Sequence, residues 1–354
     1  MEGMILMRKA KDRPLSILFK VLWLSFCVIN LLAGAGFFRR KLKPQKQKTI
    51  ATHTVIEDNL IQLSLKAHDG MPLSTTVFPR KHPEGIVQIL HGATEHKELY
   101  YSFAYFLNNN GYAVIISDYR GHGNSVNDTY PYGHMKSVDE LVEDAYSVTH
   151  YIKEMYPGCP LYIVGHSLGS ILARCYLQTH DAKVEKLVMT GTIKPVGKIK
   201  LWLFMGNWVT FYFGPRRHSK FLHIVGGSTI YKALPYPNNF VTTDKEMFEK
   251  MRADSLMHFK WTNNGALTML EAANRIKESK KNKAQNPTLP ILSLSGAKDP
   301  MTGGVVGLRD TEKNLRKMGY SDIFIKQYDG KLHSILFETN RNSVYQDILN
   351  FFKE

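Results

Sequence analysis

Leu161-Tyr-Ile-Val-Gly165-His-Ser167-Leu-Gly169-Ser-Ile-Leu-Ala173 decides the reading of this chain, because a short apolar run turns through G-x-S-x-G into a helix-forming segment. Four apolar or aromatic residues precede Gly165, and Ile171, Leu172, Ala173, Tyr176 and Leu177 follow at helical spacing. The pattern predicts a strand, a sharp turn and a helix. Ser167 then sits on a strained corner with its hydroxyl lifted above a sheet, and the flanking glycines leave room where a Cβ would strike backbone. G-x-S-x-G fixes only three residues and arises by chance, so the strand before it and the helix after it carry the inference.

A serine hydroxyl is a weak nucleophile until a base takes its proton and an acid holds the base. After an elbow of this kind the expected chain order is serine, acid, histidine, the latter two on loops that follow later strands. Pro290-Ile-Leu-Ser-Leu-Ser-Gly296-Ala-Lys-Asp299-Pro300 is an apolar strand closed by a Gly and Asp turn, which makes Asp299 the candidate acid. Asp322-Ile-Phe-Ile-Lys-Gln-Tyr328 reads as an alternating strand; Asp329-Gly330-Lys-Leu-His333 follows it, ahead of an amphipathic helix over residues 344–352. His333 is the candidate base. Among the competitors, Asp310 falls in a helix-like segment, Asp322 opens a strand, and Asp329 shares the turn of His333. His91, His96, His122 and His134 precede the elbow, His166 belongs to it, and His258 lies in a long insertion. A lone histidine is ordinarily a hydrogen-bonded bystander.

Acyl transfer also needs donors aimed at the developing oxyanion. The N–H of Leu168 comes with the elbow. Gly85-Ile-Val-Gln-Ile-Leu90-His91-Gly92-Ala93 offers a second strand running into a glycine turn, and the N–H of Ala93 is the second candidate donor. A further turn, Ser117-Asp118-Tyr-Arg-Gly121-His-Gly123-Asn-Ser125, follows a strand over residues 112–116 and is read as a tight turn shaping the floor of the site.

These segments resemble the α/β-hydrolase superfamily, and within it the monoglyceride lipase and lysophospholipase branch, also termed serine aminopeptidase-like hydrolases. The resemblance covers residues 55–354 and rests on His91-Gly-Ala-Thr-Glu95-His96, Asp118 to Ser125, Gly165 to Gly169, Ser295-Gly-Ala-Lys-Asp299-Pro300 and Tyr328 to His333, in the family's order. Gly214-Pro-Arg-Arg-His-Ser-Lys-Phe221, Arg252-Ala-Asp254-Ser-Leu256 and Phe259 to Gly265 add a likeness to bacterial members. It implies an α/β fold with a mostly parallel central sheet flanked by helices, and a serine hydrolase cleaving carboxylic esters, of monoacylglycerol or lysophospholipid type. Ser167, Asp299 and His333 would form its triad, with Ala93 and Leu168 as oxyanion donors. The same triad would serve a peptidase or a thioesterase, and a non-catalytic membrane scaffold could retain the fold. Around the histidine, many relatives carry arginine and glutamate where this chain has Lys331 and Ser334.

Almost a hundred residues separate a strand over 186–190 from the one at Pro290, far beyond an ordinary connection. The reading is a helical cap over residues 194–285, with helices at 246–252 and 266–276, inserted into a hydrolase core of residues 51–193 and 286–354. Lys200-Leu-Trp202-Leu-Phe204-Met205-Gly-Asn-Trp208-Val-Thr-Phe211-Tyr212-Phe213 is dense in large apolar groups. It is either cap core or an acyl-binding or membrane-dipping surface, with Trp202, Trp208 and Phe211 as candidate substrate contacts.

At the other end, residues 15–38 are apolar apart from Ser16, Lys20, Ser25 and Asn30. At about 1.5 Å per residue such a helix spans a hydrocarbon core roughly 30 Å thick. A basic segment (1–14) and a basic linker (39–50) bracket it. Residues 1–50 hold eleven Lys and Arg against Glu2 and Asp12, so nine of the chain's fifteen net positive charges sit there. This is the pattern of a single-pass membrane anchor touching anionic headgroups. Ala33-Gly-Ala35 leaves a cleaved secretory signal as the alternative, although the run exceeds a usual signal core of 7 to 15 residues. Basic flanks on both sides leave the orientation open. The remaining charge is modest for 300 residues and shows no basic stripe, which argues against a nucleic-acid partner. Cys27, Cys159 and Cys175 have no metal-ligand spacing and no paired framework, and no phosphate loop or dinucleotide fingerprint occurs, so neither cofactor nor metal is implied.

Overall fold

The computed structural model describes residues 51–56, 60–194, 197–223, 240–277 and 284–354. The expected anchor over 15–38 and its basic flanks lie outside the described residues. Among the described residues no helix is long and apolar enough to cross a membrane.

Among the described residues nine strands form one sheet: β1 (Ala51–Ile56), β2 (Leu60–Lys66), β3 (Pro72–Phe78), β4 (Gly85–Leu90), β5 (Tyr112–Ser117), β6 (Leu161–His166), β7 (Lys186–Thr190), β8 (Ile291–Gly296) and β9 (Ile323–Tyr328). Their spatial order is β1-β2-β3-β5-β4-β6-β7-β8-β9. The first three strands meander antiparallel onto β5, and β5, β4, β6, β7, β8 and β9 run parallel. The parallel strands put their carboxyl ends along one edge. The order reverses around β4, the kind of switch point at which open α/β sheets bind ligands.

Helices cover both faces, and the strand sequences show why. In β6, Leu161 and Ile163 enter one apolar layer while Tyr162 and Val164 enter the other, so the strand is a continuous apolar run. One layer is closed by α2 (Val138–Met155) and α3 (Leu168–His180), the other by α1 (Tyr101–Asn109) and α8 (Arg341–Lys353). Helix α2 starts on a capping sequence, Ser137-Val-Asp-Glu140, in which the Ser137 hydroxyl accepts the Glu140 N–H. Each fully buried Leu, Ile or Val side chain contributes about 1.5–3 kcal/mol.

Between β7 and β8 the described chain forms α4 (Ile199–Phe213), a helical turn at Lys220–His223, α5 (Lys245–Ala253) and α6 (Asn263–Arg275). Helix α6 packs on α2 and α3, and α4 lies against α6. Gly206 permits that approach, because a Cβ there would come within 2.9 Å of Leu222 and 3.0 Å of Leu267. Helix α7 (Gly304–Met318) links β8 to β9.

Candidate active site

Four turns meet at the carboxyl edge of the parallel strands. The turn from β6 into α3 holds Ser167 at φ 51° and ψ −114°, a backbone state that a non-glycine residue adopts only under constraint. The constraint is visible on both sides. The Ser167 N–H donates to Thr190 O at 2.9 Å. A Cβ at Gly169 would lie 2.0 Å from Leu90 O, and one at Gly165 would lie 2.5 Å from Gly169 O. Only glycine at these two positions lets α3 start so close to β4, which aims the serine out of the sheet.

Asp299 follows β8 and His333 follows β9. His333 Nε2 lies 2.8 Å from Ser167 Oγ, and His333 Nδ1 lies 2.9 Å from Asp299 Oδ2. The carboxylate is itself fixed, accepting the Met301 N–H at 2.8 Å and the Thr302 hydroxyl at 2.5 Å. All three side chains are buried. Residues 166 positions apart in sequence therefore form a continuous serine, imidazole and carboxylate chain. Burial alone would lower the His333 pKa, but the charge and hydrogen bond of Asp299, helped by Glu95, raise it above the ordinary histidine value. Burial works to raise the Asp299 carboxyl, and the imidazole together with the Thr302 and Met301 donors overrides it, so that its pKa is lowered. Both shifts describe one ion pair that favours a protonated imidazole, the state a general base reaches during catalysis.

Leu168 follows the serine at the start of α3, and Ala93 lies in the loop after β4. Leu168 is the first residue of α3, so its N–H has no acceptor within the helix. Among the described residues neither this N–H nor that of Ala93 donates to a protein acceptor. The Ala93 loop is shaped by a residue to which the sequence assigned no role. Buried Glu95 accepts the Gly92 N–H at 2.7 Å and the Tyr100 hydroxyl at 2.5 Å on one oxygen, while the other lies 3.7 Å from His166 Nε2. Burial raises its pKa. The available signal was an acid two positions after a strand-ending His91-Gly92-Ala93.

His166 is buried between Thr190 Oγ1 at 2.9 Å and Ser334 Oγ at 3.1 Å, and burial, reinforced by the charge of His333, holds its pKa well below the usual range. His96 bridges Glu98 and Asp254 at 2.5 and 2.8 Å, tying the Ala93 loop to the insertion. The turn after β5 is held by polar contacts of its own. Asp118 accepts the Lys97 and Asn124 N–H groups, and the fully buried Arg120 binds Asp144 and Asp69 at 2.6 and 2.9 Å. His68, Asp69 and Asp144 present ligand atoms within 4.8 Å of one another, yet the cation seated on both carboxylates is the Arg120 guanidinium.

Of the expected substrate contacts, Trp202 is half-buried near Phe221, whereas Trp208 is 37% and Phe211 77% exposed. The structure thus brings Ser167, His333 and Asp299 together and leaves Trp208 and Phe211 on an outward face of α4.

Fold and site together define a serine hydrolase of the α/β-hydrolase class. The model of the serine aminopeptidase S33 family matches residues 81–340, and the chain belongs to that family. It is 22% identical to a monoacylglycerol lipase of Mycolicibacterium smegmatis over 279 residues, 77% of this chain and 89% of the relative. It is also 26% identical to lysophospholipase L2 of Escherichia coli, over 51% of this chain and 54% of that one. A thermostable carboxyl esterase from Bacillus coagulans shares the fold at a TM-score of 0.73 and 22% identity, covering 84% of this chain and 98% of the esterase.

Proposed function

We propose that this chain, a serine ester hydrolase, cleaves single-chain lipid esters, monoacylglycerol or lysophospholipid, at a membrane surface. The hydrogen-bonded run from Ser167 through His333 to Asp299 carries the reading. Ser167 attacks the acyl carbonyl while His333 takes its proton, and the N–H groups of Ala93 and Leu168 receive the oxyanion. His333 then protonates the leaving alcohol, and water releases the acyl-enzyme by the same steps. Asp299 keeps Nδ1 of the imidazole protonated, so that Nε2 faces the serine as an acceptor.

Two observations favour lipid. The relatives named above include a monoacylglycerol lipase and a lysophospholipase. Helix α4 turns Leu201, Phe204, Met205, Trp208, Phe211, Tyr212 and Phe213 outward, and exposed basic residues stand at its ends, Lys198 before it, Lys200 in its first turn, and Arg216, Arg217 and Lys220 after it. Contiguous exposed apolar side chains mark contact sites, and a cationic rim suits anionic headgroups. In this reading the β7–β8 insertion is a cap that meets the bilayer.

Monoacylglycerols, lysophospholipids, acyl thioesters and peptide amides assayed side by side on the detergent-solubilised full chain test the proposal. The lipid esters are expected to turn over fastest. A thioester or amide preference would replace this reading with the thioesterase or peptidase one. The surface is tested separately with the double variant Tyr212→Ser, Phe213→Ser. Removing two exposed aromatic groups is expected to lower turnover of vesicle-borne monoacylglycerol about ten-fold while leaving a soluble short-chain ester unchanged; equal loss on both substrates would remove the surface role.

A further inference from the structure

The loop carrying His333 is held by a stretch within the β7–β8 insertion, Phe240–Thr243, just ahead of α5. The His333 N–H donates to Phe240 O at 3.1 Å and the Ser334 N–H to Val241 O at 2.7 Å. Thr242 Oγ1 donates to Phe337 O at 3.1 Å. The Phe240 ring lies 6.1 Å from the His333 ring. One buried side chain joins the two runs. Glu338 accepts the Leu332 N–H on Oε1 at 2.9 Å and the Thr243 N–H on Oε2 at 3.0 Å, and Oε2 also takes the Thr243 hydroxyl. Lys331 Nζ stands 3.9 Å from the same oxygen.

We infer that Glu338 is a positioning residue for His333, and that through Glu338 and Phe240–Thr243 the insertion sets where the base stands relative to Ser167. The inference rests on the reading of His333 as the base. A carboxylate only accepts hydrogen bonds, and three donors from two separate stretches converge on this one. The Leu332 N–H is fixed by Glu338 and the next N–H, that of His333, by Phe240 O, so successive peptides of the loop are tied to the insertion. The opposite side has no slack. A Cβ at Gly296 would lie 2.2 Å from Leu332 O, and one at Gly191 would lie 2.9 Å from His333 O. A displacement of Phe240–Thr243 therefore carries His333 with it, and the 2.8 Å contact to Ser167 changes.

Glu338→Gln places an amide group against N–H donors, and Thr243→Val removes the hydroxyl while keeping side-chain shape. Both are measured in the full chain as kcat per site titrated with a fluorophosphonate, which corrects for any inactive fraction. Glu338→Gln is expected to lower kcat about a hundred-fold and Thr243→Val about ten-fold, with KM within about two-fold of the wild type. The acid limb of kcat/KM should move to lower pH in both, because a displaced imidazole loses support from Asp299. The titratable groups facing His333, namely Asp299, Glu95 and His166, are unchanged by either substitution. Should Glu338→Gln fail to fold, Thr243→Val decides. Wild-type kcat per titrated site, or an unmoved acid limb, in a folded variant would overturn the positioning role. Failure of the wild type itself to react with the fluorophosphonate would instead overturn the reading of the site.

Discussion

Replacing Ser167 by alanine is expected to abolish fluorophosphonate labelling and to lower kcat on a short aryl ester by about a million-fold, with the melting temperature nearly unchanged. The size of the effect follows from the geometry. His333 has one reacting partner, the serine oxygen at 2.8 Å, and without it no acyl-enzyme forms. Donors at Ala93 and Leu168 would still polarise a bound ester, so a small rate above that of water should remain. The substitution removes one oxygen from a strained turn whose shape is set by Gly165, Gly169 and the Ser167 N–H bond to Thr190 O. The fold should tolerate it. Full labelling of the alanine variant would place the nucleophile elsewhere and end the assignment.

How much of this was legible in the sequence depends on the range of the interactions concerned. The elbow declared itself because its apolar strand, glycines and helix are contiguous, and β6 with α3 follows that pattern closely. Asp299 and His333 were reachable because parallel strands bring their carboxyl ends to one edge, so that each strand-ending turn is a candidate and chain order ranks them. The antiparallel β1, β2 and β3 carry no comparable signal. Ser74-Thr-Thr within β3 is polar in sequence but pairs into the sheet, where Thr75 bonds Ser117 at 3.0 Å. Glu95 carries no sequence signal beyond its place after His91-Gly92-Ala93, and Glu338 carries none of its own. Each binds backbone N–H groups whose direction is fixed only in the folded loops, and side-chain identity does not encode that. The apolar run of α4 gave its composition from sequence but not its direction. Gly206 decides this, by turning one narrow face to Leu222 and Leu267 and the aromatic face away.

The second large effect expected is that of Asp299→Asn, in which shape is kept and only charge and one proton are altered. Asp299 Oδ2 lies 2.9 Å from His333 Nδ1 and accepts the Thr302 hydroxyl, while Oδ1 accepts the Met301 N–H. With Met301 holding the asparagine oxygen, the new NH2 group occupies the place of Oδ2 and donates to Nδ1. The imidazole must then carry its proton on Nε2, facing Ser167, where it cannot act as a base. A loss of about ten-thousand-fold in kcat is expected on that ground. The pH dependence moves in a definite direction. His333 must be neutral to take the serine proton, and in the wild type Asp299 raises its pKa, so kcat/KM should rise with pH through a limb above the ordinary histidine value of about 6.5. Without the carboxylate, burial governs and disfavours the imidazolium, so the limb should move to lower pH even as the plateau collapses. Rates of fluorophosphonate inactivation measured across pH read both quantities when turnover is too slow to follow. A variant within ten-fold of the wild-type rate, or one whose limb stays in place, would show that Asp299 neither fixes the tautomer nor stabilises the imidazolium.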